Sequence, residues 1–361
     1  MEYNTQRMPP LRPSESQITA VVERTHFAEF LRSMWNIPST VTHFPGPHPV
    51  SLERRHFDQL NRDTVVSLKT DGVRYLLMLC VDRQNEPVAL MIDRSMKMFE
   101  IEVWANNEYF EQGSLFDGEL VWENEAQTPR LTFIVFDAVC ICGVSCIRLN
   151  YADRLDRINR AIGDLPADVD ETTAETLVNE QHCICAMRNP FFLRIRMKKC
   201  VRLDSLADLW SMRNECPHRN DGLILTRNNA PLDINTSSCI WKWKSNHTVD
   251  VLLDDGVPHV QLGAACEPLT TLRRGAYSMN VVLAKNEVSD GLENDAVVEC
   301  ECAVTHETLT LFPLKRRFDK SSPNSLTTIE RTVTNILEKI DVQELIDEFR
   351  DTGREKRPKR G

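Results

Sequence analysis

The sequence predicts an α+β fold of two globular domains, in which helices flank antiparallel sheets. Short apolar runs of strand length, separated by turn residues, fill two stretches of the chain, 64–139 and 249–314. Apolar residues at helical spacing precede the first stretch at 18–35 and follow the second at 326–349. The chain of 361 residues, 42% of them apolar, is long enough to bury two cores.

The N-terminal part contains three predicted segments. Residues 1–16 are polar and proline-bearing, which is typical of a flexible leader. The helix at 18–35 should end before Pro38, and the proline-rich segment 44–51 fits neither a regular helix nor a central strand. Ser51 is a suitable N-cap, which predicts that a new helix begins directly after it.

Strand and turn signals then predict the first sheet-containing domain. Its strands are expected at 64–68, 74–81, 88–93, 98–102, 118–123 and 131–139. Because these short strands follow one another through turns, they should pair antiparallel. Helical patterns follow at 153–162, 172–187 and 204–214. Asp221-Gly222 forms a turn before another strand, and 240–244 alternates apolar residues with lysines, as a strand with one buried face does.

The second set of strands predicts a small barrel of the OB-fold type. These strands are expected at 249–253, 259–262, 279–283, 296–304 and 308–314. The pattern over 326–349 predicts one or two amphipathic helices. The expected organisation is a leader at 1–16, a first domain at 17–246, a barrel domain at 247–325, a helical segment at 326–350 and a basic tail at 351–361.

Charge and composition exclude some classes of protein. A net charge of −10 argues against a general positive coat for nucleic acid, although local patches can still hold phosphates. The basic strip at 194–202 either solvates a strand or follows RNA phosphates, and the basic run at 354–360 is typical of a solvated end. The chain has neither an apolar run of membrane length nor the apolar core of a signal peptide at its start, so we predict an intracellular protein without a membrane partner.

The twelve cysteines are predicted to be reduced thiols and core residues. Three pairs, at 140/142, 183/185 and 300/302, have a one-residue spacing that differs from the spacing of zinc knuckles. Cys216-Pro217-His218 is a weak metal candidate, and we predict no zinc site from it.

The most informative stretch is Lys69-Thr70-Asp71-Gly72-Val73-Arg74. A lysine attacks phosphorus as a neutral amine, which burial or cationic neighbours favour. Gly72 would let the backbone approach a phosphate, and Arg74 would hold ribose or phosphate oxygens with its planar fork. Taken alone, however, Asp71-Gly72 between two apolar runs is more typical of a solvated hairpin turn.

Four charged clusters next to predicted strand ends give this stretch a context. They are Lys69 with Asp71 and Arg74, Asp117-Gly118-Glu119, Asp221-Gly222, and Lys242 with Lys244. Together they contain what nucleotidyl transfer requires. One lysine attacks the α-phosphate, further lysines neutralise phosphate charge, and carboxylates hold Mg²⁺ or a ribose hydroxyl.

In this order the motifs resemble those of the covalent nucleotidyltransferases, which comprise the mRNA capping guanylyltransferases and the ATP-dependent polynucleotide ligases. The resemblance runs from about residue 44 to about residue 325. Its five motifs are Lys69-Thr70-Asp71-Gly72-Val73-Arg74, Phe116-Asp117-Gly118-Glu119-Leu120, Phe133-Ile134-Val135-Phe136-Asp137, Asp221-Gly222-Leu223-Ile224 and Trp241-Lys242-Trp243-Lys244. Each motif alone is weak, whereas five in order are specific.

Three further segments favour the capping enzymes over the ligases. Phe44-Pro45-Gly46 with Pro49-Val50-Ser51 is similar to the loop before their nucleophile, and Met91-Ile92-Asp93-Arg94 is similar to their ribose-binding segment. The segment from Lys315 to Lys320 resembles their last motif, but the family usually has arginine where Lys315 stands. A lysine does not reproduce a bidentate fork.

The resemblance implies an mRNA guanylyltransferase, with a nucleotidyltransferase domain followed by an OB-fold domain. The enzyme would transfer GMP from GTP, through a covalent lysyl-N-GMP intermediate, to the 5′-diphosphate end of RNA and so form the GpppN cap. The implied catalytic residues are Lys69, Lys242, Lys244, Arg317, Asp319 and Lys320. The residues implied to bind GTP are Asp71, Arg74, Arg94, Glu119 and Phe136. Those implied to bind Mg²⁺ or Mn²⁺ are Asp221 and Glu119.

The resemblance also implies partners, which should lie on other chains or on missing parts of a longer one. They are an RNA triphosphatase, a cap methyltransferase and RNA polymerase II, and the expected location is the nucleus, or the cytoplasm for a viral protein. Two other functions stay open, an ATP-dependent ligase and a non-catalytic scaffold that binds RNA ends. Single residues also fit plainer roles, with Phe136 in the core, Glu119 and Asp221 in turns, Arg94 in a surface ion pair and Asp71 in a local hydrogen bond.

Overall fold

The computed structural model describes residues 17–125, 128–162, 178, 184–188, 193–274, 277–286, 294–317, 320 and 322–350. The protein has a mixed α+β fold with several sheets, as predicted. Its chain divides into two compact units, one with the described residues up to Val50 and Asn61–Trp241, the other with Ser51–Leu60 and the described residues from Lys242 onward. The predicted leader and basic tail lie outside the described residues. Among the helices that the structure describes, none is long and apolar enough to cross a membrane.

The helices are α1 Val21–Trp35, α2 Asn107–Glu111, α3 Tyr151–Ala161, α4 Leu206–Ser211, α5 Leu326–Glu338 and α6 Val342–Phe349. Short 3₁₀ helices lie at Arg54–Gln59, Leu203–Ser205 and Met212–Asn214. The predicted helix at 18–35 is confirmed, and it buries Phe27, Leu31 and Trp35, one residue per turn. It ends at Asn36, whose left-handed φ of 53° is the conformation of a helix C-cap.

The strands of the first unit are β1 His48–Ser51, β2 Val65–Thr70, β3 Val73–Val81, β4 Pro87–Asp93, β5 Met98–Ala105, β6 Ser114–Glu125, β7 Thr128–Ile141, β8 Val144–Ser145, β9 Ile184–Arg188, β10 Leu193–Met197, β11 Cys200–Arg202, β12 Asn220–Thr226 and β13 Thr236–Lys244, of which β1 and β13 end in the second unit. Those of the second unit are β14 Thr248–Asp254, β15 Val257–Leu262, β16 Ala265–Pro268, β17 Thr271–Arg274, β18 Tyr277–Leu283, β19 Ala296–Val304 and β20 Thr308–Arg316. The strands predicted in both stretches are confirmed, most with longer bounds.

Two sheets form the first unit. The smaller has the strand order β1-β13-β12-β2-β11, and the larger has the order β10-β9-β5-β4-β3-β6-β7-β8. In the larger sheet β10 also pairs with β7, so seven of the strands form a closed ring. This ladder is parallel, as is the ladder between β18 and β20, so the prediction of purely antiparallel sheets is wrong at these two places. Both ladders join strands that do not follow one another, which local turn signals do not reveal.

The strand β3 shows why the larger sheet is stable. Its residues alternate between two cores, with Tyr75, Leu77 and Leu79 in one and Leu76, Met78 and Cys80 in the other. The second of these cores also contains Phe27, Leu31 and Trp35 of α1. Because both faces of the sheet are covered, the strand reads as an unbroken apolar run rather than an alternating one.

The second unit contains one sheet of the order β16-β15-β14-β19-β20-β18-β17. Its buried face packs in one core with Ile329 and Val333 of α5. Within the described residues no ladder joins the edge strands β16 and β17, so the sheet is open and closure into an OB-fold barrel stays a prediction. The C-terminal helical prediction is confirmed as two helices, which begin at the capping side chains of Ser325 and Asp341.

Two local predictions are wrong. Ser51 does not cap a helix, because the helix that follows begins at Arg54 and its cap is Glu53, which exchanges hydrogen bonds with His56 in a capping box. The predicted helix at 172–187 ends in β9, which pairs with β5 and β10, and most of the remaining range lies outside the described residues. A short apolar run fits either a helix or a buried strand, and here its pairing partners decide.

Candidate active site

Lys69 lies where the chain passes from one sheet to the other. It is on β2, whose neighbours are β11 and β12 in the smaller sheet, whereas β3 pairs with β4 and β6 in the larger sheet. Asp71 and Gly72 are the whole connection between these two strands. The hairpin interpretation of Asp71-Gly72 is therefore wrong, because a hairpin requires the two strands to pair with each other.

Gly72 is required by close packing against β6. A Cβ at this position would lie 2.4 Å from the Leu120 carbonyl oxygen and 2.5 Å from Val121 Cγ1. The Gly72 N–H donates to Glu119 Oε1 at 3.2 Å. The connection thus brings a carboxylate of the larger sheet next to the lysine stretch of the smaller one.

Asp221 reaches Lys69 through an irregularity in the smaller sheet. The register between β12 and β2 shifts between Asn220 and Gly222, so Asp221 is the extra residue of a β-bulge. Bulges re-aim side chains next to active sites. Here Lys69 Nζ donates to Asp221 Oδ1 at 2.7 Å, and the two side chains are 21% and 33% exposed. A substrate can therefore reach this ion pair from solvent.

Glu119 and Lys198 form one electrostatic group with Lys69. Burial raises the pKa of Glu119, and the charges of Lys198 and Lys69 oppose that rise. Burial lowers the pKa of the Lys198 ammonium, and Glu119 opposes that change. The charge states of Glu119 and Lys198 therefore depend on each other. A negatively charged phosphate that joined this group would favour the charged form of Lys198.

Arg74 is held by the buried carboxylate of Asp117, a pairing that the sequence did not predict. Arg74 Nε donates to Asp117 Oδ1 at 2.9 Å, and Arg74 Nη2 donates to the other oxygen of the same carboxylate. Arg74 Nη1 donates to the Pro47 carbonyl oxygen at 2.8 Å. Burial opposes the charge of Arg74, but Asp117 outweighs it and raises the arginine pKa. The Arg74 Cζ also lies 5.3 Å from the ring centroid of Phe44. A direct contact of Arg74 with a nucleotide stays a prediction.

Phe136 stands at a second bulge, on β7. Asp117 faces Asp137 and Gly118 faces Val135, so Phe136 is the residue without a partner in this ladder. Its ring centroid lies 5.6 Å from Lys198 Nζ. Lys198 reaches this position because β10 runs parallel to β7 and its own N–H donates to the Val135 carbonyl oxygen at 2.8 Å.

The backbone around Phe136 rests on a buried ion pair. Arg154 of α3 donates to both oxygens of Asp137, at 2.7 and 3.1 Å, and both side chains are almost fully buried. Tyr151, on the same helix, donates its hydroxyl to the Phe136 carbonyl oxygen at 2.9 Å. The helix α3 therefore holds the backbone of Phe136 in place.

Two further residues predicted in the first unit, Arg94 and Asp71, contact residues that are distant in the sequence. Arg94 Nη2 lies 3.2 Å from His48 Nδ1, in an exposed contact. Asp71 is exposed, and its backbone N–H donates to the Arg219 carbonyl oxygen at 3.0 Å. This backbone bond to a distant residue is not the local hydrogen bond considered for Asp71, which stays a prediction. Neither residue is part of the Lys69–Asp221 ion pair.

The remaining predicted residues belong to the second unit. Lys242 and Lys244 alternate along β13 with the buried Trp241 and Trp243, as the sequence pattern predicts. Arg317 and Lys320 of the last motif both pair with Asp250 of β14, and Arg317 Nη1 lies 3.1 Å from Asp250 Oδ1. Lys315 pairs with Glu299 at 3.3 Å. Asp319 lies outside the described residues.

The Lys69 site offers two carboxylates to a metal ion. Within the described ranges, no group of three or more His, Cys, Asp or Glu side chains is arranged to hold a metal ion. Glu119 and Asp221 are two carboxylates of the Lys69 site, from opposite sheets. Mg²⁺ usually keeps several waters and takes one or two carboxylates together with substrate phosphates. The donor set therefore fits a Mg²⁺ ion that arrives with a nucleotide better than a permanent metal site.

A second charged network surrounds Glu123. This buried carboxylate accepts hydrogen bonds from Thr132 Oγ1 at 2.9 Å and from Arg196, and it contacts His218 Nδ1 at 3.1 Å. Burial opposes its charge, but His218 and Arg196 outweigh burial and lower the pKa of Glu123 to about 2. Burial likewise opposes the charge of His218, but Cys216 and Glu123 raise its pKa.

Glu123→Gln should destabilise the protein by roughly 3 kcal/mol at neutral pH, because the lowered pKa of Glu123 measures how strongly the folded state favours its charge. The wild-type advantage is complete above the ordinary glutamate pKa near 4.5 and declines as pH falls toward about 2. The contribution of His218 has the opposite sign, since it is complete below about pH 6.5 and declines as pH rises through its raised pKa. Urea unfolding of both proteins between pH 3 and 8 measures this, and a difference independent of pH contradicts it.

Comparisons with known proteins identify the family of this chain. The model of the family described as mRNA capping enzyme, catalytic domain, matches residues 14–246. The mRNA-capping enzyme subunit alpha of Neurospora crassa is 27% identical, over 84% of this chain and 83% of that protein. The corresponding subunit of Yarrowia lipolytica is 26% identical, over 84% and 81%.

Two matches of other kinds were also found. The mRNA-capping enzyme of Caenorhabditis elegans is 23% identical over 84% of this chain but only 48% of that protein. Among solved structures, a mycobacterial DNA ligase D complexed with ATP and MES superposes with a TM-score of 0.36 at 13% identity, over 77% of this chain and 94% of that chain. The family match spans the whole Lys69 site, with its partners Asp221 and Glu119. The chain therefore belongs to the mRNA capping enzyme family and contains its catalytic domain.

Proposed function

We propose that this protein is an mRNA guanylyltransferase whose nucleophile is Lys69. The observation that carries the proposal is the solvent-reachable Lys69–Asp221 ion pair at the junction of the two sheets, in a chain of the capping enzyme family. In the first step Lys69 Nζ attacks the α-phosphorus of GTP, an N–P bond forms, the bond to the β-phosphate oxygen breaks, and pyrophosphate leaves. Because the attacking amine must be neutral, the lysine proton has to leave, and Asp221 Oδ1 already accepts a hydrogen bond from that nitrogen.

In the second step the 5′-diphosphate end of an RNA attacks the bound GMP. A P–O bond forms, the N–P bond breaks, and Lys69 is regenerated with the capped RNA as product. Lys242 and Lys244 would neutralise α-phosphate charge in both steps. Arg317, Asp319 and Lys320 would orient the leaving pyrophosphate in the first step, from a second unit of the OB-fold type.

The surroundings of Phe136 favour guanine over adenine. A base stacked on this ring would have the Lys198 ammonium beside it, since Lys198 Nζ lies 5.6 Å from the ring centroid. Guanine presents the O6 and N7 acceptors to such a cation, whereas adenine presents an amino donor in place of O6. Arg74, Arg94 and Asp71 would then hold the ribose and phosphates around the stacked base.

A divalent ion would complete the site. Mg²⁺ or Mn²⁺ would be held by Glu119 and Asp221 together with phosphate oxygens, and when bound it would withdraw charge from the phosphates. Alternatively, Glu119 would accept a hydrogen bond from a ribose hydroxyl. The same two carboxylates also contact the Gly72 N–H and Lys69, so they keep the lysine stretch in place without the ion.

The partners follow from the chemistry of the cap. The RNA substrate has to arrive with a 5′-diphosphate, so an RNA triphosphatase must act before this protein, and a cap methyltransferase would act on its product. The fungal relatives are named as alpha subunits, which supports a partner subunit for this chain as well. We place the protein in the nucleus, near RNA polymerase II.

Labelling with α-³²P nucleotides tests the function. We expect the protein to become labelled on a denaturing gel by GTP with Mg²⁺, to lose this labelling in EDTA, and to lose the label to added 5′-diphosphate RNA. Unlabelled GTP should compete, whereas equal ATP should not. Labelling by ATP alone would instead identify a ligase-type enzyme. Tight binding of 5′-diphosphate RNA without any labelling would identify a non-catalytic scaffold.

A further inference from the structure

A cysteine, a histidine and a glutamate meet beside the proposed active site. Cys216 Sγ lies 3.4 Å from both ring nitrogens of His218, and His218 Nδ1 lies 3.1 Å from the buried Glu123 Oε1. A nucleophile next to a base that is oriented by a third group is the arrangement that activates thiols in proteins. None of these three residues has a role in the guanylyl transfer described above.

The thiol opens onto a cavity of about 230 Å³. Cys216 and His218 line this cavity, together with the cationic side chains of Arg196, Lys198 and Lys199. Cys216 itself is half-buried, so a small reagent can reach it. The cavity therefore combines an accessible sulfur with a positive surrounding, which favours anionic sulfur and stabilises an anionic leaving group.

The electrostatics distinguish Cys216 from the thiols of several buried or half-buried cysteines among the described residues. Burial opposes its ionisation, but His218 and Arg196 outweigh burial and lower the pKa of Cys216. In contrast, burial raises the pKa of the thiols at 80, 140, 146, 200, 300 and 302. The charged groups that line the cavity with Cys216 are Arg196 on β10, Lys198 and Lys199 after β10, and Glu215 and His218 before β12, and Glu123 on β6 contacts His218.

We propose that Cys216 is a nucleophilic thiol that small hydroperoxides oxidise to a sulfenic acid within this cavity. The thiolate attacks one oxygen of the peroxide, an S–O bond forms and the O–O bond breaks. The departing hydroxide of hydrogen peroxide, or the alkoxide of an organic hydroperoxide, takes a proton from the His218 imidazolium and leaves as water or as the alcohol. Sulfur is oxidised by two electrons, the peroxide is reduced by two, and Cys216 retains the attacked oxygen with its hydrogen.

The oxidation would also affect guanylyl transfer, a consequence that depends on the proposed function. The Cys216 thiolate is one of the negative charges that favour the charged form of Lys198. A sulfenic acid removes that charge and adds an oxygen atom to the cavity that Lys198 lines. Because Lys198 also lies against Phe136, the change reaches the place where the base would stack.

The test follows each cysteine separately in the full chain. The protein is treated with limiting hydrogen peroxide and the sulfenic acid trap dimedone at pH 6.5, and adducts are quantified by peptide mass spectrometry. We expect the adduct at Cys216 to form roughly 10-fold faster than at Cys266, which is exposed. His218→Asn should reduce the Cys216 rate severalfold and leave the Cys266 rate unchanged. The buried thiols of Cys80 and Cys140 should stay unmodified, which reports that the first unit of the variant is folded.

Equal rates at Cys216 and Cys266 would overturn the proposal, and so would a Cys216 rate that is insensitive to His218→Asn. Should that variant unfold, the pH dependence of the wild type decides instead. Oxidation of Cys216 should persist to lower pH than oxidation of Cys266, and parallel profiles contradict the proposal.

The adduct does not depend on GTP chemistry, so its formation without any guanylylation would refute only the proposed function. Peroxide sensitivity of guanylylation should disappear in Cys216→Ser.

Discussion

Lys69→Arg is expected to reduce formation of the covalent protein–GMP adduct by roughly 10³-fold or more. Arginine preserves the positive charge and can still pair with Asp221. However, its guanidinium stays protonated at any accessible pH, so it cannot supply a neutral amine to attack phosphorus. The measurement is the initial rate of labelling by α-³²P GTP, with RNA omitted so that only the first step is observed.

Lys97→Arg is the matched control, because Lys97 is exposed and lies outside the site. This variant should label at the wild-type rate. The fold of Lys69→Arg should also be intact, since its ion pair is partly exposed and such pairs contribute about 1 kcal/mol or less. A Lys69→Arg protein that still forms the adduct at a rate near wild type would show that another residue is the nucleophile.

Arg154→Met is expected to destabilise the first unit by about 3–5 kcal/mol. The change leaves the Asp137 carboxylate buried without its charged partner, although the methionine fills much of the same volume. Arg154 also donates to the Leu149 carbonyl oxygen at 2.7 Å, and that acceptor loses its donor too. Denaturant unfolding of the full chain, followed by tryptophan fluorescence and circular dichroism, measures the change in free energy.

The same helix offers a control. Arg160 forms an exposed ion pair with Asp156, four residues away, so Arg160→Met should cost less than about 0.5 kcal/mol. Combining Arg154→Met with Asp137→Leu should recover part of the loss, because the unpaired buried charge is gone. If Arg154→Met and Arg160→Met had the same small effect, the buried pair would not be the support for Phe136 that the structure indicates.

Much of the fold was predictable from local patterns. The helix α1 and the strand β3 are determined by apolar spacing and length, which neighbouring residues are enough to set. The alternation of lysine and tryptophan along β13 was also correctly interpreted. The errors lie where distant segments decide, as in β9, whose strand conformation depends on pairing with β5 and β10.

The candidate site divides in the same way. Lys69 and Asp221 are 152 positions apart, and only the order of motifs suggested that they belong together. Asp117 was visible next to Glu119, but its pairing with Arg74 depends on burial, which the motif does not show. Lys198 belongs to the basic strip at 194–202, for which solvation of a strand and contact with RNA phosphates were equally plausible. Its place beside Phe136 follows from a parallel ladder that joins β10 to β7, and no local signal announces such a ladder.

The two-residue connection between β2 and β3 has a consequence for any attempt to cut or rearrange this chain. A circular permutation that opened the backbone at Asp71-Gly72 would leave each hydrogen-bonded ladder of both strands complete, because the two strands do not pair. The permutant could thus keep its sheets and still lose the short tether that holds Lys69 close to Arg74. Here the covalent connection, rather than sheet pairing, sets the effective concentration of the proposed nucleophile Lys69 near Arg74, which is proposed to bind the nucleotide.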